Sequence, residues 1–341
     1  MEQNESLQKQ TADAQKLFES ALTYYHGNGV QQDYAKAAAY YTRAAELGHI
    51  KSQFNLALCY ADGTGVSPSD RQAAYWYEKA AAQGHAKAQF NLALCYENGT
   101  GVPKNLQRAI EWYEKAAVQG HKRAQFNLAI NYEDGLGVSP DPQKAAYWYE
   151  KAAEQGHKGA QYNLALCSAN GTGVPKSDEK ASLWYEKAAV QGDISAQYNL
   201  AVRYENGCGV PENPQKAIEW YERAAEQGDP EAQFNTGICY DRGLGVACDP
   251  PRAALWYTRS AEQGLAQAQF NLAYFYAHGR GVAADAAKAA YWYEKAAEQG
   301  LVQAQFNLAE CYAHGNGVAK DSERAAFWYG KVAEQKSALD P

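Results

Sequence analysis

The motif Gly-x-Gly-Val occurs nine times along the 341-residue chain at a fixed spacing of 36 residues, first at 27–30 and last at 315–318. No insertion or deletion interrupts the spacing. A fixed period of this size is typical of an array in which each unit packs mainly on its neighbours. A repeated unit mainly encodes a stack and a surface. We therefore expect neither an enzyme active site nor a cofactor.

Residues 121–156 illustrate the predicted fold of one unit. Ala124, Leu128 and Tyr132 are spaced four residues apart and so share one face of a first helix. Two glycines follow and end that helix, because glycine tolerates the left-handed conformation of a helix C-terminus. A second helix carries Ala, Trp and Tyr at helical spacing and ends at Gly156. Each unit is therefore predicted to be a helix–loop–helix pair.

Comparison of the nine copies separates constant positions from variable ones. The second helix has Ala at one position in every copy, from Ala37 to Ala325, and Tyr at another, from Tyr41 to Tyr329. Trp precedes that Tyr in eight copies. Identical residues at identical places are what stacking of equivalent units requires, so we interpret these positions as structural.

The repeated unit resembles the Sel-1-like repeat family, a relative of the tetratricopeptide repeats. The resemblance rests on Ala-Gln-Phe-Asn-Leu-Ala, then Gly-x-Gly-Val, then Lys-Ala-x-x-Trp-Tyr-Glu-Lys-Ala-Ala-x-Gln-Gly. It implies an all-α fold, a right-handed α/α superhelical solenoid of nine 36-residue repeats, with the first helices lining a concave face. The expected organisation is a polar N-terminal extension (1–12), one solenoid domain (13–335) and a C-terminal tail (336–341).

Charge and hydropathy argue against two classes of partner. The net charge is −7, with acidic and basic residues interspersed, and no basic patch typical of a nucleic-acid-binding protein is evident. No apolar run reaches the length of a membrane span, and the first residues lack the features of a secretory signal. We therefore expect a cytoplasmic protein that binds neither nucleic acid nor membrane.

Two recurrent residue types might suggest chemistry but are interpreted structurally. Five of the seven cysteines occupy one position of the repeat and are expected to be small buried side chains, whereas Cys208 and Cys248 lie in loops and could be reactive. Four histidines recur 36 residues apart just before a first helix, where later copies have the good N-cap residue Asp. We interpret them as capping and surface residues, not as metal ligands. The four are His49, His85, His121 and His157.

An asparagine recurs in the first helix of eight copies, next to an aromatic position. An amide has two donors and an acceptor, so a row of them could bind the backbone of an extended peptide. Alternatively, each Asn could bond the neighbouring repeat. Specificity should arise where the copies differ. The residues predicted to contact a partner are Phe90, Asn91, Phe126, Asn127, Tyr162, Asn163, Tyr198, Asn199, Arg203, Glu205, Phe234, Asn235, Asp241, Arg242 and Tyr274.

The resemblance implies a non-catalytic scaffold that binds a protein or extended peptide along the first helices. An alternative is an immunity protein against a bacterial toxin, or an effector directed at a host cell. A further alternative is a β-lactam-binding or β-lactam-hydrolysing protein, since cysteine-rich members of the family are linked to that activity. The last repeat has Gly330 inside its second helix and Lys336 in place of the terminal glycine, so weak end-to-end association is also expected.

The two roles of the asparagine column give different outcomes on mutation. If the amides bind a peptide backbone, Asn127→Ala combined with Asn163→Ala should abolish partner binding and leave the melting temperature unchanged. If they bond the neighbouring repeat, the same variant should lose stability. Thermal unfolding of the purified variant, measured beside partner binding, distinguishes the two outcomes.

Overall fold

The structure, a computed structural model, describes the backbone of residues 2–337 and the side chains of residues 8–335. Every regular element in that part of the chain is an α-helix, which confirms the predicted all-α class. The chain forms two compact units, residues 1–176 and residues 177–341. The odd-numbered helices are the first helices of the repeats and are named A helices; the even-numbered ones are named B helices.

The N-terminal unit consists of nine helices. Each A helix from α1 to α7 packs on the B helix that follows it, and each B helix packs on the next A helix. The helices are α1 (Glu2–His26), α2 (Tyr34–Glu46), α3 (Ile50–Asp62), α4 (Asp70–Ala82), α5 (Ala86–Asn98), α6 (Leu106–Val118), α7 (Lys122–Asp134), α8 (Pro142–Glu154) and α9 (Lys158–Asn170).

The C-terminal unit also consists of nine helices and shows the same pairwise packing. Its first element is a B helix, and its last helix continues three residues beyond the length of the others. The helices are α10 (Asp178–Val190), α11 (Ile194–Asn206), α12 (Pro214–Glu226), α13 (Pro230–Arg242), α14 (Pro250–Glu262), α15 (Ala266–His278), α16 (Ala286–Glu298), α17 (Val302–His314) and α18 (Ser322–Ser337).

The core of each unit is built from alanines and tyrosines. The constant Ala of the B helices is buried in every copy, and the constant Tyr is buried in all copies except the last, where Tyr329 is half-buried. Tyr113, Tyr149 and Tyr221 are 0% exposed. Small alanines allow the helices to approach closely, and the tyrosine rings fill the remaining volume. The predicted structural role of these positions is confirmed.

The two glycines of the Gly-x-Gly-Val motif have different roles. The first ends the A helix in the left-handed conformation, as at Gly63 with φ of 71°. The second lies against the preceding repeat: a Cβ atom on Gly101 would lie 2.1 Å from the carbonyl oxygen of Asp70, at the start of the preceding B helix. At Gly29, in the first of the nine repeats, nothing lies within 4 Å of the Cβ position. The second glycine therefore permits stacking.

The cysteines occupy the places predicted from the sequence. The five that share a repeat position are buried, and all seven thiols are free. Burial raises the pKa of Cys59, Cys95 and Cys167 to about 11, so these thiols stay protonated and unreactive at neutral pH. Cys208 and Cys248 are exposed.

The first and last helices of the described chain are both longer than the helices between them. Helix α1 begins at Glu2, so the polar N-terminal stretch continues the first helix. At the other end α18 continues to Ser337 without a glycine stop, and residues 338–341 lie outside the described part. Phe327 of α18 is 56% exposed. End-to-end association through this helix stays a prediction, as do the domain boundaries expected from the sequence.

A matched pair of variants tests the stacking role of the second glycine. Both Gly29→Ala and Gly101→Ala place a side chain at positive φ, which costs about 1–2 kcal/mol. Only Gly101→Ala also meets the backbone of the preceding repeat. We therefore expect its free energy of unfolding, measured by urea denaturation, to fall by at least about 2 kcal/mol more than that of Gly29→Ala. Equal losses would contradict the assigned contact.

Candidate protein-binding face of the A helices

Each A helix has one partly exposed surface, which we name the A-helix face. In α5 it is formed by Lys87, Phe90, Asn91 and Leu94, and the other A helices contribute the equivalent residues. The spacing of three and four residues places these side chains on one side of the helix. Lys87 is exposed, Asn91 and Leu94 are half-buried, and Phe90 is 9% exposed. The face thus combines a charge, an aromatic ring, an amide and an aliphatic side chain in each repeat.

The aromatic position of the face contacts two other helices. The Phe90 ring lies 5.9 Å from the Tyr113 ring of the following B helix and 4.6 Å from the His121 ring of the next A helix. Phe126 repeats this arrangement and lies 4.3 Å from the His157 ring. These rings join adjacent repeats and leave only part of their surface for a partner.

The asparagine of the A-helix face can form a hydrogen bond to a tyrosine of the neighbouring repeat, as Asn127 does. Asn127 Nδ2 donates to Tyr113 Oη at 3.1 Å, and that hydroxyl donates to Glu97 Oε2 at 2.7 Å. Burial raises the pKa of Tyr113, the Asn127 amide counteracts this and the Glu97 carboxylate adds to it. The phenol therefore stays protonated and joins an amide on one A helix to a carboxylate on the preceding one.

The equivalent Asn of the following repeat acts on the B-helix Tyr in further copies, with two departures. Burial raises the pKa of Tyr41, Tyr77, Tyr149, Tyr257 and Tyr293, and the Asn amide counteracts this in each. By contrast, Asn199 donates to the Ser195 carbonyl at 2.9 Å, and Asn235 donates to Tyr198 Oη at 3.5 Å. The bonding to neighbouring repeats that was one of the two expectations is thus present. The amide oxygen and a second N–H retain capacity, so contact with a ligand stays a prediction.

Two charged residues predicted to contact a partner form bonds inside the C-terminal unit. The Arg203 side chain is 11% exposed, and its guanidinium lies 3.1 Å from Asp178 Oδ1 and 3.2 Å from the Cys208 carbonyl. Glu205 accepts a hydrogen bond from Tyr221 Oη at 2.7 Å. Arg203 thus ties α11 to α10, and its contact with a partner stays a prediction.

The remaining predicted residues differ in how accessible they are. Asp241 Oδ1 forms an ion pair with Arg280 Nη2 at 2.6 Å, and this pair joins two consecutive repeats. Arg242 is exposed. Tyr274 is 41% exposed, and its ring contacts the His278 ring with a centroid distance of 4.0 Å. Four further predicted residues are half-buried: Tyr162, Asn163, Tyr198 and Phe234.

The four recurrent histidines are N-caps, as predicted. In each, Nδ1 accepts a hydrogen bond of 3.2 Å from the backbone N–H three residues on. The histidine ring also packs against the aromatic ring of the preceding A helix. Asp193 and Asp229 cap the equivalent helices in the C-terminal unit. Burial lowers the pKa of each histidine, and neighbouring lysine or arginine side chains lower it further.

One buried polar network was missed by the sequence reasoning. Gln89 Nε2 donates to the Ala81 carbonyl at 3.1 Å, and Gln89 Oε1 accepts from Gln119 Nε2 at 2.7 Å. The network thereby joins an A helix to the B helices before and after it. The signal was present in the sequence, since a Gln occupies this A-helix position in copies two to nine. In the last copy, Gln305 Oε1 has no hydrogen-bond partner.

The described residues contain neither a metal-binding cluster nor a membrane-spanning helix. No group of three or more His, Cys, Asp and Glu side chains there has an arrangement that could hold a metal ion. No helix in the same part of the chain is both long and apolar enough to cross a membrane.

The repeat geometry agrees with comparison to known families. The Sel1 repeat model matches nine consecutive segments of the chain, so the chain belongs to the Sel1 repeat family and is an all-α solenoid. No curated protein matches the chain. The matched segments are residues 16–49, 50–85, 86–121, 122–157, 159–193, 194–229, 230–265, 266–301 and 302–337.

Two solved structures are similar over most of their length. A protective antigen present in uropathogenic Escherichia coli strains, with an SLR fold, is 34% identical at a TM-score of 0.81; the match covers 97% of this chain and 79% of that one. A Sel1 repeat protein from Oxalobacter formigenes is 36% identical at a TM-score of 0.65, with coverage of 90% and 89%.

The histidine caps predict a loss of stability at mildly acidic pH. Their folded-state pKa lies below the unfolded value of about 6.5, so the neutral ring contributes stability that is complete above that pH. This stability is lost as pH falls through the folded-state pKa, because a protonated Nδ1 cannot accept the capping bond. Losing an N-cap typically costs about 1 kcal/mol. Urea denaturation at pH 7.5 and 5.5 should show the decrease.

A variant with His→Asn at all four caps provides the control. Asparagine keeps a capping acceptor and does not titrate in this range. We expect the decrease between pH 7.5 and 5.5 to shrink markedly in this variant. An unchanged decrease would assign the pH dependence to other groups.

Proposed function

We propose that this protein is a non-catalytic scaffold that holds an extended segment of a partner protein along the A-helix face. The observation that carries the proposal is a row of half-buried amide and aliphatic side chains, repeated on successive A helices within each unit. In the N-terminal unit this row includes Asn91 and Leu94 of α5, and Asn127 and Ile130 of α7. A surface that is ordered before binding loses little entropy when a partner docks.

The burial of the other recurrent positions supports the A-helix face as the functional surface. The Ala and Tyr columns are buried between helices, and the Gln network is occupied by contacts between repeats. These groups cannot reach a partner without unfolding the stack. The A-helix face keeps partial exposure, and its residues vary from repeat to repeat at the charged positions. Variation of that kind on a constant framework is suited to recognition of one particular sequence.

The protonation state of the column cysteines and buried tyrosines supports the non-catalytic part of the proposal. Burial raises the pKa of the column cysteines, reaching about 12 at Cys239, so the thiolate is scarcely populated at neutral pH. The buried tyrosines carry raised pKa values for the same reason and hydrogen-bond to carboxylates and amides. Proteins of the Sel1 repeat family are in general protein-interaction scaffolds, which agrees with this assignment.

Site-specific photo-crosslinking in the native cell tests the proposal. A photoreactive amino acid replaces Leu94 or Ile130 on the A-helix face, and crosslinked peptides are identified by mass spectrometry. We expect both positions to capture neighbouring stretches of the same partner sequence. The matched controls are Tyr147 and Val118, which lie on B helices and are 50% and 76% exposed.

The controls determine how the result is interpreted. Crosslinks confined to Leu94 and Ile130 would support binding on the A-helix face. Equal capture at Tyr147 and Val118 would contradict it, because a partner held along the A helices cannot contact both surfaces with one short segment. Retained melting temperature in each variant ensures that the captured partner meets the folded protein.

A further inference from the structure

A row of basic side chains lies at the starts of the A helices in the N-terminal unit. We name it the basic stripe, and it consists of Lys51, Lys87, Lys122, Arg123 and Lys158. All five are exposed, and none of them forms an ion pair within the described part of the chain. Exposed cations without intramolecular partners remain available to an external anion.

The basic stripe does not stabilise the helices that carry it. A helix N-terminus is electropositive, so a cation there is unfavourable, and an acid is the stabilising choice. In the C-terminal unit, α11 and α13 follow that preference: Asp193 caps α11, and Asp229 caps α13, which has Glu231 in its first turn. The backbone N–H groups at the starts of α3, α5, α7 and α9 are capped by histidine, which leaves no structural use for the added cations.

The charge is localised even though the unit as a whole is neutral. Residues 1–176 contain 17 Lys and Arg and 17 Asp and Glu, whereas residues 177–341 contain 15 and 22. The acids nearest to the A-helix face lie at the opposite ends of the same helices, as at Glu97 and Glu133. The face is therefore basic at one border and acidic at the other.

Two cavities lie along the basic stripe. One of about 350 Å³ is lined by Lys51, Phe54, Asn55 and Lys87, among others. The other, of about 550 Å³, is lined by Lys87 again and by residues of the next repeat. Each cavity thus offers an aromatic ring, an amide and cations, with Lys87 shared between them. A short side chain ending in a carboxylate fits this combination, since its oxygens can accept from both the amide and the ammonium groups.

We propose that the basic stripe binds an acidic, extended segment of the partner protein, with carboxylates at about every third residue. This rests on the function proposed above and specifies its partner. The Phe90 ring of α5 contacts the His121 ring at the start of α7, so successive A helices lie side by side, roughly 8–10 Å apart. An extended chain rises about 3.3 Å per residue, so three residues span one repeat. Protein is favoured over nucleic acid because Glu97 and Glu133 would repel a continuous phosphate backbone at the other border of the face.

Fluorescence anisotropy with a synthetic peptide tests the proposal on the full-length protein. The probe is a labelled 18-residue peptide with Glu at every third position and Ser, Ala or Gly between. The reference peptide has Gln in place of every Glu. We expect the Glu peptide to bind at least about tenfold more tightly than the Gln peptide at low salt, with the difference shrinking as salt increases.

Charge reversal locates the binding. Lys87→Glu combined with Arg123→Glu should weaken binding of the Glu peptide by about tenfold or more. The same variant should melt at an equal or higher temperature, since acids suit a helix start, which separates lost binding from lost folding. Lys104→Glu with Lys176→Glu makes the same change of charge in exposed loops of the same unit and should leave binding within about twofold of wild type.

Several outcomes would overturn the proposal. The Glu peptide could fail to bind, or the loop variant could lose as much affinity as the stripe variant. A 20-nucleotide single strand that binds as tightly as the peptide would show a general anion site. Self-association that the stripe variant abolishes, seen by sedimentation, would make a second copy the occupant. Partner crosslinks at Leu94 and Ile130 that survive any of these results would leave the proposed function intact.

Discussion

Each repeat in this protein completes the hydrogen bonds and fills the surface of the one before it. Gln89 reaches back to the last turn of the preceding B helix and forward to Gln119 of its own repeat. Gly101 allows its loop to touch the start of the preceding B helix. Such contacts cannot form in an isolated unit, so stability depends on neighbours, as in other linear repeat arrays.

This dependence determines where a partner can bind. The B-helix Tyr is enclosed by its neighbours, yet its hydroxyl reaches the A-helix side, where Tyr113 bonds both Glu97 and Asn127. Buried hydrogen bonds therefore hold the side chains of the A-helix face in place. Side chains held in this way present a surface of fixed shape, on which the exposed charges can differ from repeat to repeat without disturbing the stack. The basic stripe of the N-terminal unit is one such difference.

Much of the fold could be predicted because stacking imposes the same demand at every copy. The buried Ala and Tyr columns, the buried cysteines and the histidine caps all follow from recurrence combined with helical spacing and capping chemistry. The Gln network was equally recurrent, but a polar residue inside a helix does not reveal which carbonyl it will meet. At Arg203 the sequence suggested a contact with a partner, because the residue differs from its equivalents in the other repeats. In the structure Arg203 occupies the position of a buried Cys and forms an ion pair with Asp178 inside the C-terminal unit.

The sequence by itself determined the helix–loop–helix unit, its length, its number and its core-facing residues, because periodicity and glycine stereochemistry are local properties. Only the tertiary structure decided which polar groups join the repeats and which remain available to a partner. Burial and bonding depend on distances between residues on different helices, such as Gln119 and Gln89, which are 30 residues apart in the chain. The same three-dimensional arrangement leaves Lys87 and Arg123 exposed on one face, without an ion pair to any residue whose side chain the structure describes.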